Sequence, residues 1–314
     1  MNQPATETAD IPSINTTFAT GRQKLLGHLA MLVFATLVAG SYSVGALAVP
    51  HIGPAAINAM RFLIGTSLMA IAAFVVLSGR VTLPRSPWRF GLLGLLMAVF
   101  FITMFVALGL TTPVATGAVF TLMPLMSAFF GWLFLGQVPR GLVWASLVFA
   151  GLGAVWVIFG GDLNAIRAFD IGRGELIFVV GCACHAAYAP LVKRFSRGEP
   201  LVLFTMWTLF ATGVCIATYG AVEIARTDWM NLPAIVWLAI AYLAVFTTAG
   251  TTFLVQFAAL RLPAAKVLAY TYLTPSFVIV FEGLLGHGWV NASVMAGALV
   301  TVLGLVVLAL SRDG

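Results

Sequence analysis

From residue 25 onward the chain is a succession of long apolar runs, parted by short clusters of charge, proline and glycine. The runs are continuously apolar, without the apolar and polar alternation that marks the strands of a membrane barrel. A helix needs about 20 apolar residues to cross the hydrocarbon layer. On that length the pattern predicts ten spanning helices, at about 25–47, 55–78, 88–109, 113–135, 141–159, 174–193, 201–222, 233–258, 264–285 and 289–311. The uncharged stretch from Phe90 to Pro139 is too long for one crossing, and the polar Thr111, Thr112 and Pro113 force a turn inside it.

Composition agrees with this reading. Of 314 residues 61% are hydrophobic and 8% are charged, against about 25% charged in soluble domains. So few charges cannot cover a soluble surface, which excludes a water-soluble enzyme. The net charge of +6 forms no basic face, so nucleic acid is excluded as a partner. Cys182, Cys184 and Cys215 all fall in apolar runs and lack metal-site spacing. The expected fold is all-α and integral to the membrane, and the bilayer is its first partner. Residues 1–20 are polar and free of Arg, unlike a signal or transit peptide, and residues 1–24 read as a disordered cytoplasmic tail.

Basic residues set the orientation, because cytoplasmic loops are enriched in Lys and Arg. With the N-terminus inside, 12 of the 16 Lys and Arg lie in inside loops, 3 (Arg167, Arg173 and Arg226) lie outside, and Arg61 falls within a span. Both termini are then cytoplasmic. An internal repeat appears at an offset of 151 residues, which lays Pro124 on Pro275 and Gly153 on Gly304 without a gap. The halves are a first five-helix repeat at 25–160, an external linker at 161–173 and a second repeat at 174–311. Five spans per half is odd, so the copies enter the membrane in opposite senses and enclose a central cavity. Inverted repeats of this kind build many secondary transporters.

Candidate chemistry centres on the bends. A mid-helix proline lacks an N–H and crowds the carbonyl four residues back, so Pro124 and Pro275 are expected to free the carbonyls of Phe120 and Thr271 for a ligand. Tyr270 and Tyr272 offer rings and hydroxyls to an amphipathic solute, as do Ser41 and Tyr42 of span one and His185 and Tyr188 of span six. Lys266, Asn58 and Gln256 are further polar candidates. Arg61 and Glu282, both toward the outer leaflet, are expected to pair near an external mouth. Gly151, Gly153, Gly297 and Gly304 suggest close helix contact in spans five and ten. There is no GxxxxGK[ST] and no HExxH, so neither a nucleotide-driven pump nor a hydrolase is indicated, and no cofactor or metal is called for.

Arg61-Phe62 within NAMRFLIG, Pro124 followed by GWLFLG, and span six ending in YAPLVKR together resemble the EamA-type drug/metabolite transporter superfamily. The resemblance runs from residue 25 to 311. It departs where members often carry an acid: Gly136 precedes Gln137 and Gly286 precedes His287. It implies a bacterial inner-membrane exporter of small metabolites, with a cavity lined by the first four helices of each half and spans five and ten peripheral. The aromatic content makes it similar to the branch that exports amino acids, aromatic ones included. Drug-like cations or nucleotide sugars as cargo, and a channel or scaffold in place of a carrier, stay open, as does a homodimer.

Overall fold

A computed structural model of the chain describes residues 20–136, 141–168, 171–259, 261–262, 267 and 269–310. Lys266, Gln137 and most of the N-terminal tail lie outside the described residues. Among those described there is no strand. The helices are α1 Gly21–Ala48, α2 Pro54–Val76, α3 Pro87–Leu108, α4 Pro113–Phe120, α5 Met123–Leu135, α6 Gly141–Ile158, α7 Leu163–Ala168, α8 Arg173–Phe195, α9 Leu201–Tyr219, α10 Ala221–Arg226, α11 Ala234–Tyr242, α12 Thr251–Ala259, α13 Thr274–Leu284 and α14 Ala292–Leu310. A π-helical segment, Leu243–Gly250, joins α11 to α12, and a 3-10 turn, Tyr270–Leu273, leads into α13.

Seven helical stretches among the described residues are long and apolar enough to cross a membrane: α1, α2, α3, α4 with α5, α8, α9, and α11 through α12. The apolar parts of α6 and α14 are shorter. Leu63, Ile71, Phe74 and Val75 of α2 are 62–70% exposed. Side chains so large and bare suit hydrocarbon rather than water.

Proline starts these helices. Pro54, Pro87, Pro113, Pro124 and Pro275 each occupy a first turn, where the missing N–H breaks no bond and φ is already set. The interruptions therefore fall one turn ahead of the two mid-span prolines. Thr121 and Leu122 N–H bond three residues back, to Ala118 and Val119 at 3.0 Å each, before α5 begins. Ahead of Pro275 the 3-10 turn does the same, and Thr274 N–H bonds to the Thr271 carbonyl. The expectation that the Thr271 carbonyl stands open for a ligand is corrected by this bond.

Packing is close where side chains are small. A Cβ on Gly94 of α3 would lie 2.7 Å from the backbone of Ala211 and Thr212 in α9, and one on Gly153 of α6 would lie 2.8 Å from the Gly297 carbonyl of α14. The expected contact of spans five and ten is present. Around the centre α3 packs on α8 and α9, α2 on α9 and the π segment, α5 on α8, α1 on α12 and α13, and α4 on α13.

Candidate functional site

Where α1, α2, α3, α4, α8 and the α11–α12 stretch meet, they enclose a cavity of about 60 Å³. That is room for a few waters, far below the roughly 300–1,000 Å³ of a ligand pocket. Its wall is largely aromatic and threonyl. Phe100, His185 and Tyr188 form a stack: the first two rings are 4.6 Å apart at 27°, the second two 5.9 Å apart at 9°. The spacing of His185 and Tyr188, one helical turn apart on α8, puts both rings on one face. Ser41, Tyr42, Phe120 and Gln256 also line the space.

Arg61 reaches the same cavity and is 1% exposed. Its Nε donates to Thr248 Oγ1 at 2.9 Å and its Nη2 to Thr247 Oγ1 at 3.1 Å, with longer contacts of 3.5 Å to the Thr247 carbonyl and Asn58 Oδ1. The guanidinium also lies 4.4 Å from the centre of the Phe101 ring, within cation–π range. Every acceptor around it is neutral. The π segment explains how two successive threonines meet one guanidinium, since its widened turn departs from regular helical spacing. Four threonines around Gly250 in an otherwise apolar run were the available sequence signal for this wall, and they were missed.

The expected pair of Arg61 and Glu282 does not form. Glu282 Oε2 is 2.8 Å from His287 Nδ1 at the end of α13, while Arg61 faces the π segment; α2 and α13 serve different neighbours. Tyr270, Thr271, Tyr272, Pro124 and Pro275 are not among the cavity's lining residues. Tyr270 Oη bonds His28 Nδ1 at 2.9 Å, and Tyr272 Oη donates to the Leu147 carbonyl of α6 at 3.2 Å. Both hydroxyls thus tie the 3-10 turn to α1 and α6. The prolines are buried and shape their helices. Asn58 is fully buried and holds Arg61 and the Phe101 carbonyl.

Side-chain clamps cross both ends of the bundle. At one end Arg89, 1% exposed, donates to Glu199 Oε1 at 2.7 Å and to the Phe195 carbonyl, and Arg197 Nη1 donates to Ser86 Oγ at 3.2 Å. Arg261 Nε donates to Gln23 Oε1 at 3.0 Å and ties the start of α1 to the end of α12. Partial burial raises the Glu199 carboxyl, but the hydrogen bonds from Arg89 and the Arg197 backbone, with the Arg89 charge, outweigh it and hold it below its ordinary value. At the other end Glu223 Oε1 accepts from Ala55 and Ala56 N–H, both at 2.9 Å, and Thr111 Oγ1 donates to Glu175.

The EamA-like transporter family matches the chain twice, over residues 25–159 and 172–310. Uncharacterized transporter YyaM of Bacillus subtilis (strain 168) is similar at 23% identity over 281 residues, covering 89% of this chain and 92% of that protein. A crystal structure of a protein that is 20% identical superposes with a TM-score of 0.69, covering 91% of this chain and 96% of the other, and shares its fold. The chain belongs to the EamA-like transporter family and is a multi-pass membrane transporter.

Proposed function

We propose that the chain exports amino acids, or amphipathic metabolites of similar size, by alternating access across a bacterial inner membrane. In this reading it has ten spans in two inverted five-helix repeats, and both termini are cytoplasmic. Three observations support the architecture. The family matches two stretches of similar length. The helix breaks at 121–122 and 270–273 follow the 151-residue offset. The packing pairs exchange under that offset: α3 on α8 answers α12 on α1, α5 on α8 answers α13 on α1, and α3 on α9 answers the π segment on α2.

The observation that carries the function is the central cavity, walled by aromatic and hydroxyl side chains from both halves and crossed by clamps at both ends. A space this small becomes a substrate site only when helices on one side part. Opening one end while the other stays clamped is alternating access. A permanent channel does not fit a chamber of about 60 Å³. A drug-like cation is disfavoured because the charge in the wall is itself positive.

Purified protein in proteoliposomes, with labelled amino acids outside and unlabelled ones inside, tests this. The expected result is saturable uptake accelerated by the internal solute. Flux that neither saturates nor shows counterflow would refute the carrier, and movement of no amino acid would refute the substrate class.

A further inference from the structure

The polar groups of the cavity wall that lack a partner can each donate a hydrogen bond. Arg61 has five N–H groups and four hydrogen bonds, so at least one N–H has no acceptor. Tyr42 Oη is fully buried, lines the same space and makes no hydrogen bond. Gln256 has its Oε1 occupied by Thr205, while its Nε2 makes no hydrogen bond of normal geometry, although the Tyr188 hydroxyl lies beside it. Neither Asp nor Glu is among the residues that line the cavity. A guanidinium remains protonated at neutral pH, and burying one without a counter-ion is costly.

We propose that this cavity is a carboxylate-recognition site, in which Arg61 grips the carboxylate of an amphipathic ligand, Tyr42 and Gln256 donate to it, and the Phe100–His185–Tyr188 stack takes its apolar body. A carboxylate supplies acceptors for the idle donors and neutralises the guanidinium, with the charge-assisted geometry arginine favours. The amino group of an amino acid finds no acid here, so it contributes little to recognition. The substrate range accordingly extends from amino acids to aromatic monocarboxylates without an amine. The proposal rests on the cavity being the transport site and names what that site selects.

Three probes with one aromatic scaffold test it: 3-phenylpropionate, phenylalanine and phenethylamine, which carry an anionic, a zwitterionic and a cationic head. Binding is read on the full-length protein in detergent by thermal shift, and movement is read separately by counterflow in proteoliposomes. Expected is that 3-phenylpropionate binds at least as tightly as phenylalanine and that phenethylamine does not bind. Losing charge-assisted bonds should weaken 3-phenylpropionate about tenfold to a hundredfold in Arg61→Gln, with part recovered in Arg61→Lys and a smaller loss in Tyr42→Phe. The wild-type ranking stands even where a variant fails to fold. Phenethylamine binding as well as the anion, no probe binding at all, an equal shift from sodium chloride, or a folded Arg61→Gln of unchanged affinity each overturns the proposal. Binding of the anion without counterflow upholds the site and refutes transport of that ligand; counterflow of the amine alone does the reverse.

Discussion

Glu223 caps a helix to which it does not belong. The N-terminus of α2 begins at Pro54 after Gly53, which has no side chain to cap it, and the first N–H groups of a helix have no partner within it. Glu223 Oε1 takes two of them, from Ala55 and Ala56. Glu223→Ala removes both bonds and the negative charge at the positive end of the helix. Two bonds to a charged acceptor, of the size of a lost N-cap or somewhat more, put the cost at about 2–3 kcal/mol. At ~2–4 °C per kcal/mol the midpoint of thermal unfolding in detergent should fall by several degrees. Glu223→Gln keeps a neutral acceptor and should lose about half as much. Hydrogen exchange gives the local readout: the Ala55 and Ala56 amides should exchange faster in Glu223→Ala, while amides in the middle of α2 keep their protection. An Ala variant with wild-type melting and unchanged exchange at 55–56 would refute the reasoning.

Gly94→Ala forces a methyl group against the backbone of α9 and should destabilise by about 1–3 kcal/mol, whereas Gly91→Ala, with nothing within 4 Å of the new Cβ, should be neutral or stabilising; paired melts in detergent compare them. Thr248→Val removes the Oγ1 that accepts from Arg61 Nε without changing shape, and should cost about 1.5–3 kcal/mol. Thr251→Val, whose hydroxyl bonds only to the Thr247 carbonyl of its own helix stretch, should cost less, and equal losses would contradict the role given to Thr248. Because the folded Glu199 carboxyl titrates below its ordinary value of 4.5, its contribution is present above that value and is lost as pH falls through the lowered one. Melting points measured downward from pH 6 should drop more steeply in the wild type than in Glu199→Gln.

Much of the fold was legible because the bilayer demands continuous apolar length, and a helix or helix pair lies in each of the ten expected stretches. Ser41, Tyr42, Phe120, His185, Tyr188 and Gln256, polar or aromatic candidates in the sequence, line the cavity. Helical spacing alone put His185 and Tyr188 on one face. Tyr270 and Tyr272 were misplaced because a regular helix was assumed through them. The 3-10 turn that Pro275 imposes ahead of itself changes their direction, and each hydroxyl then finds a partner on α1 or α6. Glu282 was paired across the bundle because its depth matched that of Arg61, but depth fixes height and not azimuth. The threonine wall of Arg61 was hidden because a π segment has no compositional mark as plain as proline.

The π segment of 243–250 amounts to one surplus residue accommodated within a continuous helix. Were it to migrate past Thr251, the residues it passed would turn by about 100° and slide by about 1.5 Å while α11 and the far part of α12 kept their seats. Thr247 and Thr248 would swing away together, and Arg61 would lose its hold on two adjacent hydroxyls at once. The chamber's wall is thereby mechanically geared to the screw sense of the helix that carries it.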